Sequence, residues 1–143
     1  MGCDINPYVE VKTDGKWASL NAPESLSDRN YARFAFLTGG EVINDAGVPA
    51  LLPTPRGYPT DEASPRNRRR PWHNHAGYNA SYLTLKELLA VNYGQTFTDL
   101  RVNSETTLLN VLDPSWFYIL ASLEAMLGGR AADELRIVFD FDQ

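Results

Sequence analysis

The chain has 143 residues, 43% of them hydrophobic and 22% charged, with a formal net charge of −5. This is enough chain for one domain with its own core, in the composition range of globular rather than disordered proteins. The acidic balance argues against unspecific binding along duplex nucleic acid, which needs a broad basic surface. No apolar run is long enough for a bilayer, and the first residues do not read as a signal peptide.

Residues 1–12 alternate as a strand, with Cys3 and Ile5, then Val9 and Val11, set against polar neighbours. Pro7 cannot donate to a ladder and predicts an edge position or a bulge. Thr13-Asp14-Gly15-Lys16 reads as a hairpin turn, and residues 17–20 as the returning strand. A helix is expected over 29–37, capped by Ser27 or Asp28, with Tyr31, Phe34 and Leu37 on one side and Gly39-Gly40 as the stop. The segment 41–71 carries six prolines and little periodicity. Long loops inside compact domains are uncommon and often functional.

Thr84-Leu85-Lys86-Glu87 fits a capping box, and Leu85, Leu88 and Leu89 follow at helical spacing. In 92–103, Phe97, Leu100 and Val102 suggest a short strand, whereas 106–112 fits helix and strand equally. Asp113-Pro114 opens a helix with the apolar stripe Trp116, Ile119, Leu120, Leu123 and Leu127, ending at Gly128-Gly129. Residues 135–141 form a last strand with Ile137, Phe139 and Phe141 on one face. The expected fold is α+β: one domain over 1–143, with a small mixed or antiparallel sheet containing the N-terminal hairpin and the C-terminal strand. It is packed with about three helices and carries a long Pro-rich loop at 39–82.

The stretch 66–89, RNRRRPWHNHAGYNASYLTLKELL, draws the functional attention. Arg66, Arg68, Arg69 and Arg70 offer planar forks that match phosphate, and Trp72, Tyr58 and Tyr78 offer faces for stacking a base. His73 and His75 stand beside them, and Arg56 and Arg29 are candidate additional phosphate contacts. A local basic patch in an acidic chain suits a phosphate-bearing small molecule better than a long polyanion. The competing reading is a solvated charge run. No Walker loop and no Gly-x-Gly-x-x-Gly occurs, and no cofactor is expected.

Three other groupings carry weaker signals. Asp4, Asp140 and Asp142 would gather if the two terminal strands were neighbours, and clustered carboxylates can hold Mg²⁺ or Mn²⁺ for phosphodiester cleavage. His73 and His75 alternate as a chelating pair would, without an evident third ligand. Cys3, the one cysteine, cannot form an internal disulfide; it reads as a core residue and fits a reducing, cytoplasmic setting. Phe117 and Tyr118 extend the apolar stripe around its helix and suggest a subunit interface in a homo-oligomer.

The segments MGCDINPYVEVKTDGKW, RNYARFAFL, TPRGYP, GYNASYLTLKELL and LRIVFDFDQ occur in one order along nearly the whole chain. In this they resemble a family of small, largely uncharacterised bacteriophage proteins. Those proteins begin Met-Gly-Cys-Asp-Ile-His and end in a strand closing Phe-Asp-Asn or similar. Where the family pattern has histidine, this chain has Asn6 and Tyr78, which favours binding over metal or acid–base chemistry. The resemblance implies a phage product acting in the cytoplasm of an infected bacterium, with a nucleotide signal of host defence as its expected ligand. The alternatives are a metal-dependent nuclease or phosphodiesterase, and an acidic inhibitor docking on a host defence protein.

Overall fold

Asp14 and Gly15 both take positive φ, 51° and 76°, and turn the chain between β1 (Asp4–Thr13) and β2 (Lys16–Asn21). Two consecutive left-handed residues give the turn whose twist matches a hairpin's. The computed structural model describes residues 2–39, 44–61, 78–112 and 115–142. After the hairpin come α1 (Tyr31–Thr38), β3 (Tyr78–Thr84), α2 (Leu85–Leu89), β4 (Thr96–Asp99) and β5 (Ser104–Thr107). Then follow α3 (Leu108–Leu112), α4 (Ser115–Ala125) and β6 (Leu135–Asp142), with short 3-10 turns at Glu24–Ser27 and Ala132–Glu134. The protein is an α+β fold with four α-helices among the described residues.

The main sheet runs β2-β1-β6-β3, antiparallel throughout, and β4 and β5 form a separate hairpin. The first and last strands are therefore its central pair. Pro7 sits in an interior strand, opposite Phe139, rather than at an edge. It is tolerated because pairing with β2 ends at Tyr8↔Asn21, so β1 has no neighbour on that side at Pro7.

One sheet face supplies Ile5, Val9, Val11, Leu83, Leu135, Ile137, Phe139 and Phe141 to the core. The helices close over it: the Phe34 ring of α1 meets Phe141 edge-on at 5.0 Å, and Phe36 meets Trp116 of α4 at 5.8 Å. Helix α1 is buried nearly all round, from Ala32 to Thr38. Its cap is Asn30, whose side chain accepts from the Arg33 N–H at 3.0 Å, not Ser27 or Asp28. Gly39 ends it at φ 73°. A Cβ there would lie 2.6 Å from the Pro53 carbonyl oxygen, so glycine is needed for space as well as for handedness.

Several sequence expectations shift. Residues 78–82, expected as the end of the long loop, belong instead to edge strand β3, with Asn79 at φ 53° in an irregularity between Tyr78 and Ser81. In α2, Leu85 and Leu88 are buried but Leu89 is exposed, because the helix ends after five residues. Strand β4 stops at Asp99; Leu100 and Val102 lie exposed in the β4–β5 turn. The ambiguous 106–112 is both things in succession, the end of β5 and then α3. The Asp113-Pro114 cap lies outside the described residues. In α4, Trp116, Ile119, Leu120 and Leu123 are buried, while Phe117 and Tyr118 stay 42% and 75% exposed; the helix ends at Ala125, so Leu127, which packs partly against the core, lies beyond it. No helix among the described residues is long and apolar enough to cross a membrane.

Candidate functional site: the second face of the sheet

Strand alternation sends Asp4, Asn6, Tyr8 and Glu10 of β1, with Arg136, Val138, Asp140 and Asp142 of β6, to the face the helices leave uncovered. That face is largely buried: Glu10 and Val138 are 0% exposed, Asp140 4% and Arg136 6%. At its centre the Arg136 Nε donates to Glu10 Oε1 at 2.8 Å. The Arg136 guanidinium carbon lies 3.8 Å from the centre of the Trp17 ring and 5.5 Å from that of Tyr82. Arg56 stands 5.3 Å from the Tyr82 ring and Lys12 5.8 Å from Trp17. Cations and rings thus alternate across the sheet, each ring sharing its electron-rich face with a cation.

Residues 55–61 run along this face as a strap. The Gly57 N–H donates to the Ala80 carbonyl at 2.8 Å, and the Arg56 N–H to Ser81 Oγ at 3.1 Å. The Tyr58 hydroxyl donates to Asp140, and Trp17 Nε1 donates to Asp61 Oδ2 at 2.8 Å. The strap therefore begins beside β3 and ends beside β2, having crossed the sheet.

Helix α2 starts as its sequence announces. Thr84 Oγ1 accepts from the Glu87 N–H at 3.1 Å, and Glu87 Oε1 accepts from the Thr84 N–H at 3.0 Å. The Glu87 carboxylate also receives both terminal nitrogens of Arg56, the Nη1 bond measuring 2.8 Å. The Arg56 hydrogen bond holds the Glu87 carboxyl below its usual range. The helix start is thus filled by the protein's own anion, and Arg56, a candidate phosphate contact, is engaged there.

Arg29, the other outlying candidate, donates Nε to Asp4 Oδ1 at 2.6 Å and Nη2 to Oδ2 at 3.2 Å. This bond lowers the Asp4 carboxyl and raises the guanidinium. Tyr58 is spent on Asp140 and Tyr78 is 60% exposed. Arg66, Arg68, Arg69, Arg70, Trp72, His73 and His75 lie outside the described residues.

The alternative carboxylate group does assemble on one face, since Asp4 opposes Asp142 and Asn6 opposes Asp140. Asn6 Nδ2 lies 2.9 Å from both Asp140 Oδ1 and Asp142 Oδ2 and bridges them as a neutral donor. With Asp4 taken by Arg29, no group of three His, Cys, Asp or Glu among the described residues is placed to hold a metal ion. Asn6 thus ties the two carboxylates together. Cys3 is 3% exposed and burial raises its thiol pKa, which suits a packing role.

Glu10, Trp17, Tyr82, Arg136 and Asp61 were not singled out in the sequence. One signal was available: Glu10 and Arg136 are opposite charges set among the apolar residues of two strands, and such residues are rarely buried unless paired. Compared with known protein families, curated proteins and solved structures, the chain matches none.

Proposed function

We propose that the protein is a non-catalytic binder that sequesters a phosphate-bearing small molecule, gripped by Arg66, Arg68, Arg69 and Arg70 with Trp72 as a stacking surface. The observation that carries this reading is the anchoring of the two stems of that stretch. The leading stem ends at Asp61, hydrogen-bonded to Trp17 on one edge strand, and the trailing stem begins at Tyr78 on the other edge strand. Ordering a binding segment costs less when both of its ends are already fixed to a rigid scaffold than when one end is free. Arg56 and Arg29 pair with Glu87 and Asp4 and remain candidate phosphate contacts in this reading.

The resemblance to bacteriophage proteins makes a nucleotide signal of host defence the first ligand class to test. The experiment is to denature the purified protein, identify released small molecules by mass spectrometry, and repeat with Arg68, Arg69 and Arg70 all changed to alanine. An intact nucleotide released from the native protein and missing from the variant is the expected result, with thermal stabilisation by that nucleotide in the absence of Mg²⁺. Absence of any bound or stabilising phosphate compound across a broad nucleotide panel would overturn it. A chemically altered nucleotide and a requirement for metal would replace it with an enzyme.

A further inference from the structure

Helix α4 buries Trp116, Ile119, Leu120 and Leu123 along one side. Successive residues turn by about 100° around a helix axis, so Phe117, Tyr118, Ala121, Ser122 and Ala125 fall on the opposite side. All five are exposed. A surface helix ordinarily turns charged residues outward, and a helix that is apolar all round is ordinarily covered all round. The one charge in α4 is Glu124, at the margin of the exposed side.

The exposed side is also held in place. The Phe117 ring meets Tyr93 edge-on at 5.6 Å, and the Tyr93 hydroxyl donates to the Leu88 carbonyl at 2.6 Å. Ser122 Oγ donates to the Tyr118 carbonyl at 2.8 Å, so its hydroxyl proton is satisfied within the helix and can be covered without being stranded.

The order of side chains along α4 indicates what covers it. Bulk is gathered in the first half, at Phe117 and Tyr118, and the second half is low, at Ala121, Ser122 and Ala125. Two copies laid antiparallel about Leu120, the middle of the helix, set the aromatic end of each against the small-residue end of the other. Charge favours the same arrangement. Glu124 lies in the last turn, where the helix's own carbonyl end opposes a carboxylate; antiparallel packing carries it beside the first turn of the other copy, where the helix dipole stabilises one. A parallel pairing would instead bring the two Glu124 carboxylates together. Two chains of net charge −5 repel each other, and this nearly uncharged side is where they meet at least cost.

From this we infer that α4 forms the interface of a two-fold homodimer, its exposed side packed antiparallel on the same side of a second copy. The helices and the strap lie on opposite faces of the sheet, so pairing through α4 leaves the strap's face open. The inference stands on α4 alone and does not depend on the proposed ligand.

Sedimentation equilibrium of the full chain tests it. The expected result is a rise with concentration from the 16.0 kDa of one chain to twice that mass. Tyr118→Glu and Ala121→Glu each place a charge in the contact and should weaken association at least about tenfold. Both positions are exposed in the single chain, so neither change strikes the core. Oxidative cross-linking reads the orientation, with Cys3 buried and out of the way. Ala121→Cys, next to the two-fold axis, should link to itself. Ala125→Cys should not, because antiparallel packing holds its two copies about 15 Å apart along the helices. A chain that stays monomeric up to about 1 mM leaves this side to a different protein and overturns the inference. A dimer that both glutamates leave intact, or an Ala125→Cys link as efficient as that of Ala121→Cys, overturns it equally.

Discussion

The Arg136 guanidinium is stacked on the Trp17 ring at 3.8 Å while its charge is met by Glu10, itself fully buried. An ion pair buried this deeply gains little over an apolar pair of the same shape, but breaking it leaves an uncompensated charge out of water. Glu10→Ala should therefore cost about 3–5 kcal/mol, a large share of the roughly 5–15 kcal/mol of a whole domain. Replacing both partners, Glu10→Leu with Arg136→Met, should recover most of that loss. Urea denaturation of the single and double variants measures both, and a double variant as unstable as Glu10→Ala would contradict the argument.

Tyr58 fastens the strap to a carboxylate that is 4% exposed. Tyr58→Phe keeps the ring and removes the donor, so Asp140 loses one of its hydrogen bonds. The expected cost is about 1–3 kcal/mol. Amide exchange at residues 56–61 should accelerate more than exchange in β1 or β6, and uniform acceleration would mean the strap is not a separate unit.

Acid titration should expose the Arg56–Glu87 pair. The folded Glu87 carboxyl is held below its ordinary value of 4.5, chiefly by the Arg56 hydrogen bond. Its contribution is complete above pH 4.5 and is lost as pH falls through the lowered folded value. Asp99, lowered from 3.8 by Arg101, adds a loss of the same sign at lower pH. Glu87→Gln keeps the capping box, so its stability at neutral pH should differ by under about 1 kcal/mol. Its stability curve should fall less steeply below pH 4.5 than that of the unaltered chain. Denaturant midpoints across the acid range decide this.

Gly39→Ala should be harmful beyond its helix-ending role. The residue sits at φ 73°, and the new methyl would meet the Leu52 and Pro53 carbonyl oxygens at 2.7 and 2.6 Å. A strained left-handed alanine alone costs roughly 1–2 kcal/mol, and here the backbone at Leu52 and Pro53 must also move. Gly39→Ala should lower the denaturant midpoint further than Gly15→Ala, whose added methyl meets nothing within 4 Å.

Local chemistry is what the sequence made readable. Asp14-Gly15, the Thr84–Glu87 box and the Phe139/Phe141 alternation depend on neighbours a few residues away, and each appears in the structure as read. Strand β3 was hidden because its core-facing positions include Ser81, fully buried, and because the irregularity at Asn79 breaks the alternation. The bond that engages Asp140 was not legible because its tyrosine donor is 82 residues away. The Arg136 stack was likewise invisible, since Trp17, Tyr82 and Glu10 are joined only through pairing of β1 with β2 and of β6 with β1 and β3.

The central position of β1 and β6 has a consequence for biosynthesis. When β1 leaves the ribosome, the strand that will lie against it from Ile5 to Val11 has yet to be translated. Until then the hairpin shows an unsatisfied ladder and the apolar side chains Ile5, Val9 and Val11 to the cell. Completion waits for the last strand to insert, a late and long-range closure that gives chaperones a defined interval in which to act.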